Sequence, residues 1–216
     1  EKSTGEFNVG LSLGTFEGAT FVTKLKERNI YGSGRNVEVA VNTSSVNTMY
    51  KAQIVEPFFL NKDMSLNTGI SYSEKDFSST SSYNVNSFSV NAGISYSIVD
   101  DLFHKISLKY DLKDYEVTNS SLVSASIAAS EGTNANFYLE NKLISNKLDS
   151  FIRPTRGRYF SFSNTLSPVT NSTNGLIKNI IEYRRYSSFL EKKYVASIQT
   201  RIANVSSLQN NDINND

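Results

Sequence analysis

The chain has 216 residues with 22 basic and 21 acidic side chains, a formal net charge of +1 and no cysteine. Balanced charge gives no reason to expect a nucleic-acid partner, and the absence of cysteine excludes disulfides and thiol chemistry. The hydrophobic fraction, 38%, lies below the ~45–50% usual for globular chains; that is too little for a large core but enough for a membrane barrel, where one face of each strand is apolar.

No run approaches 18 consecutive apolar residues, so no transmembrane helix is expected. The opening at Glu1, with neither an initiator Met nor a signal peptide, is expected of a processed protein or a fragment. Tyr and Phe are abundant, 12 and 13 residues, as aromatic girdles require; aromatics also favour strands in general.

The first strand is expected over 4–14, TGEFNVGLSLG. Phe7, Val9, Leu11 and Leu13 share one face, and Glu6, Asn8, Gly10, Ser12 and Gly14 share the other. This is strict period two, the mark of a strand with one apolar side. After a tight turn, a second strand places Ala19, Phe21, Thr23 and Leu25 opposite Thr20, Lys24 and Lys26. A glycine turn over 30–34 leads to a third strand with Val37, Val39 and Val41 on one face. The fourth carries Tyr50, Ala52 and Ile54 and closes at Glu56-Pro57-Phe58-Phe59.

The fifth strand, 64–72, alternates Met64, Leu66, Thr68, Ile70 and Tyr72 with small polar residues. A Ser-rich loop is expected over about 74–86. The sixth strand alternates Phe88, Val90, Ala92, Ile94, Tyr96 and Ile98 with Ser, Asn and Gly. A seventh follows with Ile106, Leu108, Tyr110 and Leu112. The longest loop is expected from Lys113 to about Thr133, with a short helix or hairpin within 122–129. Strand eight is expected over about 134–143, followed by the turn 146–157, NKLDSFIRPTRG. Strand nine holds Phe160, Phe162 and Leu166, and a polar loop spans 168–175. Strand ten, about 176–186, alternates poorly, and strand eleven carries Tyr194, Ala196, Ile198 and Ile202. The tail 206–216 is polar and unpatterned.

The fold class expected is therefore all-β: an antiparallel up-and-down transmembrane barrel, incomplete, of roughly eleven strands. Connections mostly alternate between tighter and longer Ser/Asn-rich ones, as short periplasmic turns and longer outer loops do. Bacterial single-chain barrels have even strand numbers, so an odd count with a ragged tail suggests missing C-terminal strands. A soluble sandwich or solenoid is the alternative, but a sandwich strand is usually ~5–6 residues long.

Signals for catalysis or metal binding are weak. Gly10-Leu-Ser-Leu-Gly14 has the G-x-S-x-G spacing, but that nucleophile elbow needs a strand–turn–helix context, and Ser12 lies inside an alternating strand. The single histidine, His104, stands near Asp100 and Asp101, where a solvated turn is a simpler reading than a metal site. Gly32-Ser-Gly34 is followed by no helix and is not a phosphate loop. No enzyme activity, metal or cofactor is expected.

Several segments in order resemble a known family. Thr4-Gly-Glu-Phe-Asn-Val-Gly10, Gly18-Ala-Thr-Phe21, Asn29-Ile-Tyr-Gly-Ser-Gly34 and Glu56-Pro-Phe-Phe59 are similar to the first four strands of BamA-type barrels of the bacterial surface antigen family. Leu148-Asp-Ser-Phe-Ile-Arg-Pro-Thr-Arg-Gly157 is similar to that family's Asp…Pro-Thr-x-Gly turn. The resemblance implies a sixteen-stranded barrel in the bacterial outer membrane that inserts and folds other barrels. It also implies preceding POTRA modules, a lateral gate between first and last strands, and partnership with client barrels and accessory lipoproteins. The chain departs from the pattern in lacking a POTRA region, a Val-Arg-Gly-Phe motif and closing strands, so it is expected to be the N-terminal part of the barrel. A related translocation or secretion barrel, or a passive porin or adhesin, is the rival expectation.

An edge strand offers unpaired N–H and C=O groups, and a client strand can add to it by main-chain bonding. The gate strand is accordingly expected at Glu6, Phe7, Asn8, Val9, Gly10, Leu11, Ser12 and Leu13. Gly10 and Gly14 are expected either to loosen the seam or to relieve crowding on the polar side. A periplasmic turn is expected at Asp149, Arg153, Pro154, Thr155 and Gly157, with Asp149 pairing with Arg153 and Arg156.

Overall fold

The computed structural model describes residues 4–168, 175–191 and 193–208. Eleven strands run in one antiparallel sheet whose spatial order is the chain order. They are β1 (Gly5–Gly14), β2 (Gly18–Glu27), β3 (Asn36–Thr43), β4 (Asn47–Glu56), β5 (Met64–Asp76), β6 (Tyr83–Val99), β7 (Leu102–Val117), β8 (Gly132–Leu148), β9 (Gly157–Ser167), β10 (Gly175–Phe189) and β11 (Tyr194–Leu208). Two one-turn helices interrupt the connections, α1 (Ser78–Ser81) and α2 (Ala125–Ala128). The helical alternative within 122–129 is thus the one adopted; Ser124 caps α2 by accepting from the Ile127 N–H.

By internal contacts the chain divides into two compact units, Glu1–Ala92 with Lys109–Phe137, and Gly93–Leu108 with Tyr138–Asp216. Neither has a globular core. Among the described residues Val85 is the one buried hydrophobic, whereas Thr20, Ser82, Asp111, Ser161 and Ser167 are buried polar residues. The large apolar side chains stand on the surface, Leu11 at 80% exposure and Leu13 at 88%. A soluble sandwich would bury such residues between its sheets. Here the polar face is the covered one, as in a barrel whose apolar face meets lipid.

Polar contacts knit the covered face. Lys24 Nζ lies 2.8 Å from Glu38 Oε2, Ser89 Oγ donates to Asp111 at 2.5 Å, and Asn91 Nδ2 donates to Asn67 at 3.3 Å. Asp111 is flanked by Lys109 and Lys113 at 3.5 and 3.7 Å, which offsets the cost of burying its charge.

Strand lengths depart from the sequence expectation at one end of the sheet. β5, β6, β7 and β8 consume much of the Ser/Asn-rich stretches expected as loops, and the connections shrink to 77–82 and 118–131. The contrast between short and long connections is correspondingly weaker than expected, since 28–35, 57–63 and 149–156 at the opposite end are also substantial. The physical reason is an inversion of parity. Along β6 the residues in step with Phe88 and Val90 become Asn86 and Asn84, while those in step with Ser87 and Ser89 become Val85 and Tyr83. Along β7 the same switch brings Asp114 and Glu116 to one face and Tyr115 and Val117 to the other. Tyr83 packs on Phe77 at 5.2 Å and on Tyr115 at 6.3 Å, while Asn84 and Glu116 take the opposite face of their strands. Strand geometry continues, with the apolar groups now on the other face.

The irregular alternation of β10 also has a structural cause. Asn179 lies directly between Asn164 of β9 and Asn204 of β11, and Asn164 is in turn opposite Asn141 of β8. Asn164 Nδ2 donates to Asn179 Oδ1 at 2.7 Å. Lapses that look random within one strand are a cross-strand row of amides. The expected polar loop over 168–175 falls largely on residues 169–174, outside those described, as does most of the tail, although β11 extends to Leu208.

Candidate functional site

β1 is one margin of the sheet. Its partner among the described residues is β2, in register from Gly5↔Glu27 to Gly14↔Gly18. All ten residues of β1 are exposed, with Phe7 at 65% and Val9 at 56%. All eight expected gate residues therefore lie on one exposed strand whose second edge has no main-chain partner among the described residues. Such an edge is a template for another strand.

Side-chain anchors of β1 are confined to its ends. Glu6 accepts from Arg28 at 2.9 Å and from Asn8 at 3.2 Å. At the hairpin end Ser45 reaches across from the β3–β4 connection and donates from its hydroxyl to Glu17 O at 2.8 Å. Between them, Gly10 leaves a gap: a Cβ there would meet nothing nearer than Val22 Cβ at 3.9 Å, and one at Gly14 nothing nearer than Glu17 N at 3.9 Å. Among the described residues neither position is crowded, and glycine in a strand weakens packing and loosens the backbone.

The turn 149–156 is built in the opposite manner. Asp149 Oδ1 accepts from the Thr155 N–H at 2.9 Å and the Arg156 N–H at 3.0 Å, and Oδ2 accepts from the Thr155 hydroxyl at 2.5 Å. The Asp149 N–H returns a bond to Arg156 O at 3.1 Å. The Thr155 hydroxyl first, then the two N–H groups, hold the Asp149 carboxyl well below the usual range, at about 2. Arg153 binds through its backbone N–H to Ser150 Oγ at 3.2 Å. The expected pairing of Asp149 with the Arg153 and Arg156 guanidinium groups is not what forms: the carboxylate is occupied by main-chain donors from the segment after Pro154. Gly157 closes the turn at φ +113, with a would-be Cβ 2.0 Å from Lys147 O. Only glycine fits there.

Other sequence candidates resolve as structural. His104 Nδ1 bonds the Tyr96 hydroxyl at 2.8 Å, and Asp101 pairs with Lys147 at 3.5 Å. Ser12 sits mid-strand in β1, without the turn that a nucleophile elbow requires. Sequence reading passed over Lys147, Arg158 and Arg185, which only the strand register aligns.

An ordered antiparallel sheet with a polar covered face, an exposed apolar face and open margins defines a class: part of an up-and-down membrane barrel. The pattern of the Omp85 superfamily domain matches residues 29–213, and the chain belongs to that superfamily. Among solved structures it is similar to a crystal structure of BamA from Haemophilus ducreyi lacking POTRA domains 1-3, at a TM-score of 0.77 and 17% identity. That match covers 96% of this chain and 42% of the other, so the chain spans less than half the length of the relative it matches. The fold is that of a partial BamA-type barrel.

Proposed function

We propose that this chain is the leading part of a bacterial outer-membrane barrel that inserts and folds other β-barrel proteins, with β1 as the strand on which client strands grow. One observation carries the proposal: in a chain of the Omp85 superfamily, β1 is the first strand of a sheet whose order is the chain order and whose fold is that of a partial BamA-type barrel. In hydrocarbon, unpaired N–H and C=O groups cost several kcal/mol each. A client strand that pairs with Glu6–Leu13 gains those bonds, and the alternation of Phe7, Val9, Leu11 and Leu13 sets which of its residues face lipid. Partners on this reading are nascent outer-membrane barrels, accessory assembly lipoproteins and the bilayer. The process is templating and involves no covalent chemistry. The turn of Asp149, Arg153, Pro154, Thr155 and Gly157 lies on the periplasmic side and holds β8 and β9 together.

The test uses the full-length protein that carries this segment. Val9→Pro or Leu11→Pro removes a main-chain donor from β1, and client assembly in proteoliposomes is expected to stop while the barrel itself still folds. The chain has no cysteine, so single cysteines placed from Glu6 to Leu13 should cross-link to a stalled client with an alternating pattern. Normal assembly by a folded V9P protein would sink the proposal.

A further inference from the structure

A row of cations crosses the apolar face of three neighbouring strands. Lys147 of β8 stands opposite Arg158 of β9, and Arg158 opposite Arg185 of β10. The next residues along that face are Ser145, Phe160 and Tyr183, then Leu143, Phe162 and Ile181, each set again in register. The row therefore marks one end of the apolar band. Like charges placed directly opposite repel, so the arrangement calls for an anion. Asp101 supplies one carboxylate, 3.5 Å from Lys147. Arg158 and Arg185 are exposed and pair with no carboxylate among the described residues. Arg156 adds a fourth cation, and all four line an open cavity of 560 Å³ beside Tyr186 and Ser187.

We propose that this row binds the phosphate-bearing headgroup of an anionic phospholipid, whose acyl chains lie along Phe160, Phe162 and Ile181. The guanidinium forks of Arg158 and Arg185 suit a phosphate, which accepts paired N–H bonds. The site stands at the boundary between apolar band and polar turn, where headgroups lie. It rests on the barrel fold and is independent of the role of β1.

Native mass spectrometry of the detergent-solubilised full-length protein, offered phosphatidylglycerol and phosphatidylcholine in equal amounts, tests this. The wild type should retain phosphatidylglycerol about tenfold over phosphatidylcholine. The preference should fall to parity in R158Q/R185Q and persist in K62Q, which removes an exposed lysine from another turn. R158E should also lose the preference yet raise the thermal midpoint in phosphatidylcholine vesicles, because a carboxylate there pairs with both neighbours. Equal retention of the two lipids by the wild type overturns the proposal, as does a preference that survives R158Q/R185Q. An equal rise in thermal midpoint on adding inorganic phosphate to phosphatidylcholine vesicles overturns it in favour of a free-anion site. If R158Q/R185Q does not insert, the wild-type lipid comparison and R158E decide the matter.

Discussion

β1 and the turn 149–156 each contain residues that resemble a known family, and they are held in opposite ways. In the turn one carboxylate collects three hydrogen bonds, and a glycine closes the chain where no other residue fits. In β1 the side chains of Phe7, Val9, Leu11 and Leu13 are exposed, and a Cβ at Gly10 would meet only Val22 Cβ, at 3.9 Å. The turn spends its one carboxylate and the main chain after Pro154 on itself. The outer main chain of β1 has no strand partner among the described residues. The contrast separates a device whose polar groups are mutually satisfied from a strand edge whose groups are not.

The comparison can be broken at several points. The largest effect is expected from Val9→Pro in the full-length protein, with assembly of clients lost and the fold kept; loss of the fold instead would make β1 as structural as the turn. Gly157→Ala is expected to reverse that outcome, destabilising the barrel by about 3 kcal/mol through a left-handed backbone and a main-chain overlap. Urea midpoints in lipid check it, and assembly per folded molecule should stay unchanged. Asp149→Asn removes a carboxylate whose pKa is lowered from 3.8 to about 2. A depressed pKa contributes stability above the unfolded value and loses it as pH falls through the folded one. The wild-type thermal midpoint should therefore drop between about pH 4 and pH 2 more steeply than that of D149N. The smallest effect is expected from Gly10→Ala, which meets nothing within 3.9 Å and should raise stability by about 0.5–1 kcal/mol. If the looseness of β1 matters, G10A slows client assembly despite that gain; unchanged rates would leave the glycine without a role in the seam.

Much of this architecture was legible in the sequence because period two is a local signal. Roughly eleven strands in chain order are expected from it, and eleven are found among the described residues. Boundaries failed at Tyr83–Asn86 and Lys113–Val117 because polar residues on the apolar-face positions look like loop, whereas they continue a strand whose surroundings have changed. β10 looked irregular because its asparagine and arginine answer residues on β8, β9 and β11, far away in sequence. In the turn, the charges of Asp149, Arg153 and Arg156 invited an ion pair, but the main-chain N–H groups after Pro154 are nearer and fixed in direction. The exposure of β1 follows from strand order, which no single segment encodes.

The parity inversion in β6 has a further consequence for how the wall stands in a bilayer. Between Phe88 and Ile98 the strand advances about 34 Å; at a tilt of about 40° this gives about 26 Å of height, close to the ~25 Å apolar band of outer-membrane barrels. Above Phe88 the positions that would meet lipid hold Asn86 and Asn84. Raising the membrane by one residue pair would submerge amides in hydrocarbon, and lowering it would expose Phe88 to water. The switch works as a waterline for this strand: it marks, within the strand itself, the level at which its apolar positions end.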